Sequence, residues 1–206
     1  MSHGVVPHRV AEGARAGIGP IARALAAIGI SANAVTIAGG ALTLVGAGLL
    51  ANGMPLAALV VLAFGTLADT LDGQIAKAAG GGTTFGAFLD STVDRIADGA
   101  LFVGAAAAGA SLGQPLLLWS SLVALVASFL VSYIRAKAES LGATATVGPA
   151  PREARIVVFL AGLAAWALLD FQALFVAAVL ALALLSSLTF VLRLVHVGRQ
   201  LSIKER

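Results

Sequence analysis

Residues Leu67–Gly99 read LADTLDGQIAKAAGGGTTFGAFLDSTVDRIADG. On either side of the triplet Gly80-Gly81-Gly82 lies an apolar stretch, and each stretch carries two carboxylates close to that hinge. Asp69 and Asp72 stand three positions apart, Asp90 and Asp94 four apart, so on helices each pair occupies one face. A glycine hinge between two helices lets the second return antiparallel to the first, and the two acidic pairs are then expected to meet.

The surroundings are those of a membrane protein. Of 206 residues, 59% are hydrophobic and 11% charged, with a mean hydropathy of +0.99. A soluble domain is about half apolar and about a quarter charged. Runs of roughly 20 apolar residues match the length of helix that crosses a bilayer core. In lipid the backbone must satisfy its own hydrogen bonds, so these runs are helical. Short strands alternating with turns are not apparent, which argues against a barrel. The apolar lengths and breakers predict an all-α integral membrane protein with six transmembrane helices, near 33–52, 55–78, 85–109, 115–139, 153–169 and 171–194. Before them, Ile18, Ile21, Leu25 and Ile28 share one helical face with Arg23 opposite, and Pro20 suits the first helical position. That pattern predicts an amphipathic N-terminal helix lying in the membrane surface. The expected organisation is a single domain over 1–206: a tail and surface helix to residue 30, a six-helix bundle over 33–194, and a tail over 195–206.

Charge supplies an internal check on that count. Arg9, Arg15 and Arg23 precede the first span; Lys77 closes the second and Arg95 lies in the third. Arg135, Lys137, Arg152 and Arg155 surround the fourth connection, and Arg193, Arg199, Lys204 and Arg206 end the chain. The connections near Ala51–Met54, Gly109–Gln114 and Leu169–Phe171 contain no Lys or Arg. All 13 basic residues thus fall toward one side, which the positive-inside rule makes cytoplasmic, with both termini there. A cell-membrane, multi-pass location follows. No cleavable leader is expected, since Arg23 interrupts the one candidate apolar core, and the first span is expected to act as the insertion signal. Nothing points to a nucleic-acid partner.

Intramembrane carboxylates are costly and mark function by default. With no cysteine, thiolate ligands and a cysteine nucleophile are excluded, and His3, His8 and His196 are all near the ends, which argues against zinc. Carboxylate oxygens suit hard cations, Mg²⁺ first, with Mn²⁺ or Ca²⁺ also accommodated. Four carboxylates can hold two ions about 3.5–4 Å apart, an arrangement that clamps a phosphoryl group. Gly73, directly after Asp72, and Gly86, opening the third span, leave room for close approach of a ligand. Gly86 is also expected to leave free N–H groups at a helix N-terminus, which favour anions.

The register Asp69-x-x-Asp72-Gly73-x-x-Ala76-Lys77, then eight residues, Gly86-x-x-x-Asp90-x-x-x-Asp94 resembles the signature of the CDP-alcohol phosphatidyltransferase family. Lys77 stands where that family usually has arginine, keeping charge without the bidentate fork. The resemblance implies that Asp69, Asp72 and Asp90 ligate two divalent ions, and that Asp94 deprotonates the acceptor hydroxyl while also touching a metal. Gly73, Lys77 and Gly86, with Asp69, would face the CDP-lipid. Asp98, one turn past Asp94, and Arg95 are read as members of structural ion pairs.

Further runs, GGGTTFGAFLDSTVDRIADGALF, SYIRAKAES and PREARIVV, with Asn33-Ala34-Val35-Thr36, resemble actinobacterial phosphatidylinositol phosphate synthases. That family tends to have lysine then arginine where Arg135 and Lys137 stand, and proline where Ala32 stands. The resemblance implies CDP-diacylglycerol and inositol 1-phosphate as substrates and a homodimer in the bilayer. It further implies acceptor binding by Arg135, Lys137, Arg152, Arg155 and Arg193 with Ser132 nearby, and Thr36 close to the nucleotide-lipid. Phosphatidylglycerophosphate synthase, whose acceptor is also a phosphate ester, is the alternative within the class. A carboxylate-based ion or proton transporter is the alternative outside it. The acids lie near one membrane face, and no inverted repeat is apparent, which favours the enzyme.

Overall fold

A computed structural model describes residues 19–204, all helix and connecting turns, with no strand among them. Helix α1 covers 19–27 and is followed by α2 (Ala32–Ala51), α3 (Pro55–Ala78), α4 (Thr84–Ser111), α5 (Pro115–Ser140), α6 (Arg152–Leu169) and α7 (Gln172–Lys204). The six long helices coincide with the six expected apolar segments to within a residue or two, except at the last. There α7 continues to Lys204, because Val197 and Leu201 pack on Ile134, Ala138, Ala143 and Ala145 and so give the segment read as a tail a core to hold. Ile18, Arg9, Arg15 and Arg206, used in the surface-helix and charge arguments, lie outside the described residues.

Among the described residues, four helices are long and apolar enough to cross a membrane: α2, α3, α5 and α7. This is a membrane protein. The other two long helices fall short for a chemical reason: α4 carries Asp90, Asp94, Arg95 and Asp98, and α6, with 18 residues, begins Arg152-Glu153-Ala154-Arg155. Large apolar side chains such as Phe64, Trp119, Val126 and Leu184 point outward, as a lipid solvent requires.

The chain divides into two compact units. The first comprises Met1–Val45 and Val61–Ala97 and contains the hinge, where Gly80 and Gly81 adopt φ of 96° and 123°, conformations that side chains rarely tolerate. In it α2 and α3 meet through small residues: a Cβ on Gly39 would lie 3.0 Å from that of Ala68. Such contacts drive helix association where water does not. The second unit comprises Gly46–Val60 and Asp98–Arg206. Its centre is aromatic: Phe159 meets Phe102 and Phe175 edge-on at 5.9 and 5.3 Å, and Trp166 stacks on Phe175 at 5.6 Å.

Candidate active site

Of the first acidic pair, Asp69 meets both members of the second. Asp69 on α3 and Asp90 and Asp94 on α4 each present a carboxylate oxygen within 4.8 Å of the others, and all three are half-buried. Opposite faces of a Mg²⁺ shell are about 4 Å apart, given bonds of about 2.0–2.1 Å. Small side-chain rotations would therefore close these oxygens on one ion. The donor set is all hard oxygen, so residues and ion agree in chemistry as well as in spacing.

Asp72 stands apart from that trio. It is buried, and its Oδ2 accepts a hydrogen bond from Thr36 Oγ1 at 2.6 Å. The charges of Asp69 and Asp90 still act on it, so it borders the cluster. Spacing alone foresaw Asp72 but not its partner on α2. Arg95 is the other neighbour that the spacing left outside: its Nη1 lies 3.7 Å from Asp94 Oδ2 while donating to the Ser91 carbonyl at 2.8 Å.

The glycines differ from each other. Gly73 is exposed and a Cβ there would meet nothing within 4 Å, which leaves open space beside Asp72. The N–H of Gly86 is not free, contrary to expectation: it donates to Thr83 Oγ1 at 2.9 Å. Thr83 is the N-cap of α4, and a hydroxyl one turn before the third helical residue takes that N–H first. Lys77 lies exposed in the last turn of α3.

The cations assigned to the acceptor belong to the second unit and have unlike surroundings. Arg135 and Lys137 are exposed, Arg135 pairing with Glu139 at 3.0 Å; Ser132 is half-buried. Arg155 is 3% exposed and donates from Nη2 to Asp98 Oδ2 at 2.6 Å and from Nη1 to the Ala150 carbonyl at 3.0 Å. Arg152 donates from Nε to the other oxygen of Asp98 at 3.3 Å. The expectation that Asp98 pairs with a basic group is met twice over. Arg193, also buried, donates to the carbonyls of Val147 and Val131 at 3.0 Å each, and it feels the charges of Arg135 and Arg155.

These last bonds belong to a larger pattern that spacing did not reveal. The connection between α5 and α6 is pinned along one stripe of α7. Lys204 donates to the Gly142 carbonyl, Gln200 exchanges bonds with the backbone of Thr144, Arg193 holds Val147, and the N–H of Ala150 donates to Thr189 Oγ1. Gly148 has φ of 109° against Thr189, a place where no side chain fits.

An all-helical membrane protein whose carboxylates converge on a site fit for a hard cation is a candidate for phosphoryl-group chemistry. Comparison with known proteins gives the class a name. The family model for CDP-alcohol phosphatidyltransferase matches residues 29–191, and the chain belongs to that family. It is 39% identical over 151 residues to an archaetidylinositol phosphate synthase of Methanothermobacter thermautotrophicus, covering 73% of this chain and 74% of that one. Two crystal structures of Mycobacterium tuberculosis phosphatidylinositol phosphate synthase share the fold at 36% identity. The complex with manganese and citrate gives a TM-score of 0.82, covering 88% of each chain. The complex with CDP-DAG bound gives 0.79, covering 87% of this chain and 92% of that one. The protein is thus a CDP-alcohol phosphatidyltransferase, an enzyme of phospholipid biosynthesis.

Proposed function

We propose that this enzyme transfers the phosphatidyl group of CDP-diacylglycerol to inositol 1-phosphate, releasing CMP. The convergence of Asp69, Asp90 and Asp94 within 4.8 Å carries the reaction type. Two buried guanidinium groups, on Arg155 and Arg193, and the half-buried Arg152 on the same helix as Arg155 support an anionic acceptor, because guanidinium groups suit phosphate. The printed names of the relatives above, phosphatidylinositol and archaetidylinositol phosphate synthases, favour inositol phosphate among such anions.

Two divalent ions, Mg²⁺ or Mn²⁺, fit the carboxylates; when bound they would neutralise charge on the diphosphate. Asp69, Asp72 and Asp90 would hold them, with Asp94 at their edge. Thr36 keeps the Asp72 carboxylate in place. Gly73 gives the CDP-lipid room beside Asp72; Gly86, where a Cβ would come within 3.1 Å of Thr83 Oγ1 and 3.2 Å of Asn33 Oδ1, lets those side chains close on the same approach, and Lys77 contributes positive charge to its phosphates. Arg135, Lys137, Arg152, Arg155 and Arg193, with Ser132, bind or frame the acceptor phosphate. Asp94 accepts the proton of the acceptor hydroxyl as its oxygen attacks the lipid-side phosphorus. The bond from that phosphorus to the bridging oxygen of CMP breaks, and CMP departs with the electron pair. In this reading α4 and α6 also cross the bilayer, which makes six spans in a single domain, and α1 rests on the membrane surface. Both termini and the site face the cytoplasm, and the enzyme works as a homodimer in the cell membrane.

The test is CMP release by purified protein in detergent with CDP-diacylglycerol and Mg²⁺, comparing inositol 1-phosphate, inositol and glycerol 3-phosphate, with Asp94→Asn as control. Turnover with inositol 1-phosphate alone, lost in the variant, is expected. Preference for glycerol 3-phosphate would overturn the acceptor. No CMP with any acceptor from folded protein would overturn the reaction.

A further inference from the structure

The geometry points to Gln200 as a positioning residue for the acceptor: its side-chain amide clasps Thr144 and so sets the segment whose Val147 carbonyl aims Arg193. This rests on the anionic acceptor proposed above. All the groups concerned lie within the second unit.

The connection between α5 and α6 contains two glycines with positive φ, Gly142 at 67° and Gly148 at 109°. Between them Ala143 and Ala145 are buried while Thr144 and Thr146 are exposed, the two-residue period of extended chain. The two alanines pack with Ile134 and Ala138 of α5 and Val197 of α7, so the segment lies against both helices. Methyl groups fix its depth there but not its register along the helices. Hydrogen bonds supply the register. Gln200 Oε1 accepts from the N–H of Thr144 at 3.1 Å and from its Oγ1 at 3.4 Å, while Nε2 donates to the Thr144 carbonyl at 2.8 Å. One side chain thus pairs with both backbone groups of a residue, as a neighbouring strand would. Lys204, one turn further along α7, donates to the Gly142 carbonyl at 2.6 Å. Both residues lie past residue 191, where the match to the family ends.

Three residues beyond Thr144 the chain reaches Val147, whose carbonyl accepts from Arg193 Nε at 3.0 Å. Arg193 Nη1 donates to the Val131 carbonyl of α5, also at 3.0 Å. Backbone carbonyls of two elements therefore hold two of the three guanidinium nitrogens, and the plane of the group follows the place of Val147. These partners are neutral, so they direct the guanidinium without cancelling its charge. Of the charged groups around it, Arg135 and Arg155 act more strongly than Glu139 and Glu153. An anionic acceptor thus meets Arg193 in an orientation set from Gln200, about two turns along the same helix. Thr189 holds the other end of the segment through the Ala150 N–H, so loss of Gln200 releases one end and leaves the other in place.

Gln200→Leu, at a half-buried position, keeps bulk and removes the bonds to Thr144. Hydrogen–deuterium exchange across 142–147 should quicken by about tenfold in the variant. By CMP release with CDP-diacylglycerol and Mg²⁺, the KM for inositol 1-phosphate should rise about five- to tenfold. The KM for CDP-diacylglycerol and kcat should stay within about twofold. Faster exchange with an unchanged acceptor KM would overturn the inference, leaving Gln200 as a structural tie. Unchanged exchange, or parallel rises in both KM values, would do the same. The wild type tests the acceptor separately. If it turns over glycerol 3-phosphate and not inositol 1-phosphate, the inositol assignment falls, and the same split in KM is read with glycerol 3-phosphate. Lys204→Met, at an exposed position in the last turn of α7, stands in if Gln200→Leu does not fold. It should quicken exchange across 142–144 and raise the acceptor KM about two- to threefold, and no rise there would overturn the inference.

Discussion

Thr36 Oγ1 donates to Asp72 Oδ2 at 2.6 Å, and so a hydroxyl on α2 holds a carboxylate on α3 beside the acidic trio. Partners of this kind orient metal ligands, and their loss commonly costs about 10–100-fold in metal affinity. Thr36→Val keeps the shape and removes the donor. The Mg²⁺ concentration for half-maximal CMP release should rise by about that factor, while Thr36→Ser should restore it. An unchanged metal requirement would make Thr36 a packing residue.

Chelation should abolish CMP release, and added Mn²⁺ or Mg²⁺ should restore it. Asp90→Asn should weaken binding of Mn²⁺, followed directly by its paramagnetic signal. Asp94→Asn should instead cut turnover by about 10²–10⁴-fold, the usual contribution of a general base, with a smaller effect on Mn²⁺ affinity. Equal loss of binding in both variants would assign Asp94 to the metal and not to the proton.

Two glycines should separate fold from function. At Gly148 a Cβ would run into Thr189 Cγ2 and lie 2.9 Å from its Cβ, with φ at 109°. Gly148→Ala should therefore cost about 1–3 kcal/mol, read as a lower melting temperature in detergent. Gly73→Ala enters open space and should melt as wild type. Its expected defect is a higher KM for CDP-diacylglycerol, since the added methyl narrows the approach beside Asp72.

A second pair tests helix packing. A Cβ on Gly104 of α4 would lie 2.6 Å from the Ala47 carbonyl oxygen of α2, whereas one on Gly48 would meet nothing within 4 Å. Gly104→Ala should destabilise by about 1–3 kcal/mol, the cost of overpacking. Gly48→Ala should be neutral or gain up to about 1 kcal/mol from helix propensity. Similar melting temperatures for both would mean that α2 and α4 can separate at little cost.

Much of the fold was legible because lipid leaves the backbone few options. Apolar length and breakers such as Pro55, Pro115 and the 80–82 glycines set the helices almost to the residue. The end of α7 was not legible, because Val197 and Leu201 are too sparse in a basic segment to read as a core face. They become one only against Ala143 and Ala145. The acidic site was legible for a similar reason: three- and four-residue spacing on two helices joined by a hinge constrains where carboxylates can point.

By itself, then, the sequence determined the helical membrane fold, the approach of the acidic pairs on α3 and α4, and the family signature in which they sit. Local periodicity and the bilayer's demand for internal hydrogen bonding are enough to do so. That Asp72 stays outside the trio was decided by the structure. Only the tertiary structure decided how polar groups far apart in the chain are paired. Thr36 belongs to Asp72, Asp98 to both Arg152 and Arg155, and Arg193 to the carbonyls of Val131 and Val147. A buried donor must find an acceptor, but which one it finds depends on packing between helices, and no spacing along the chain encodes that.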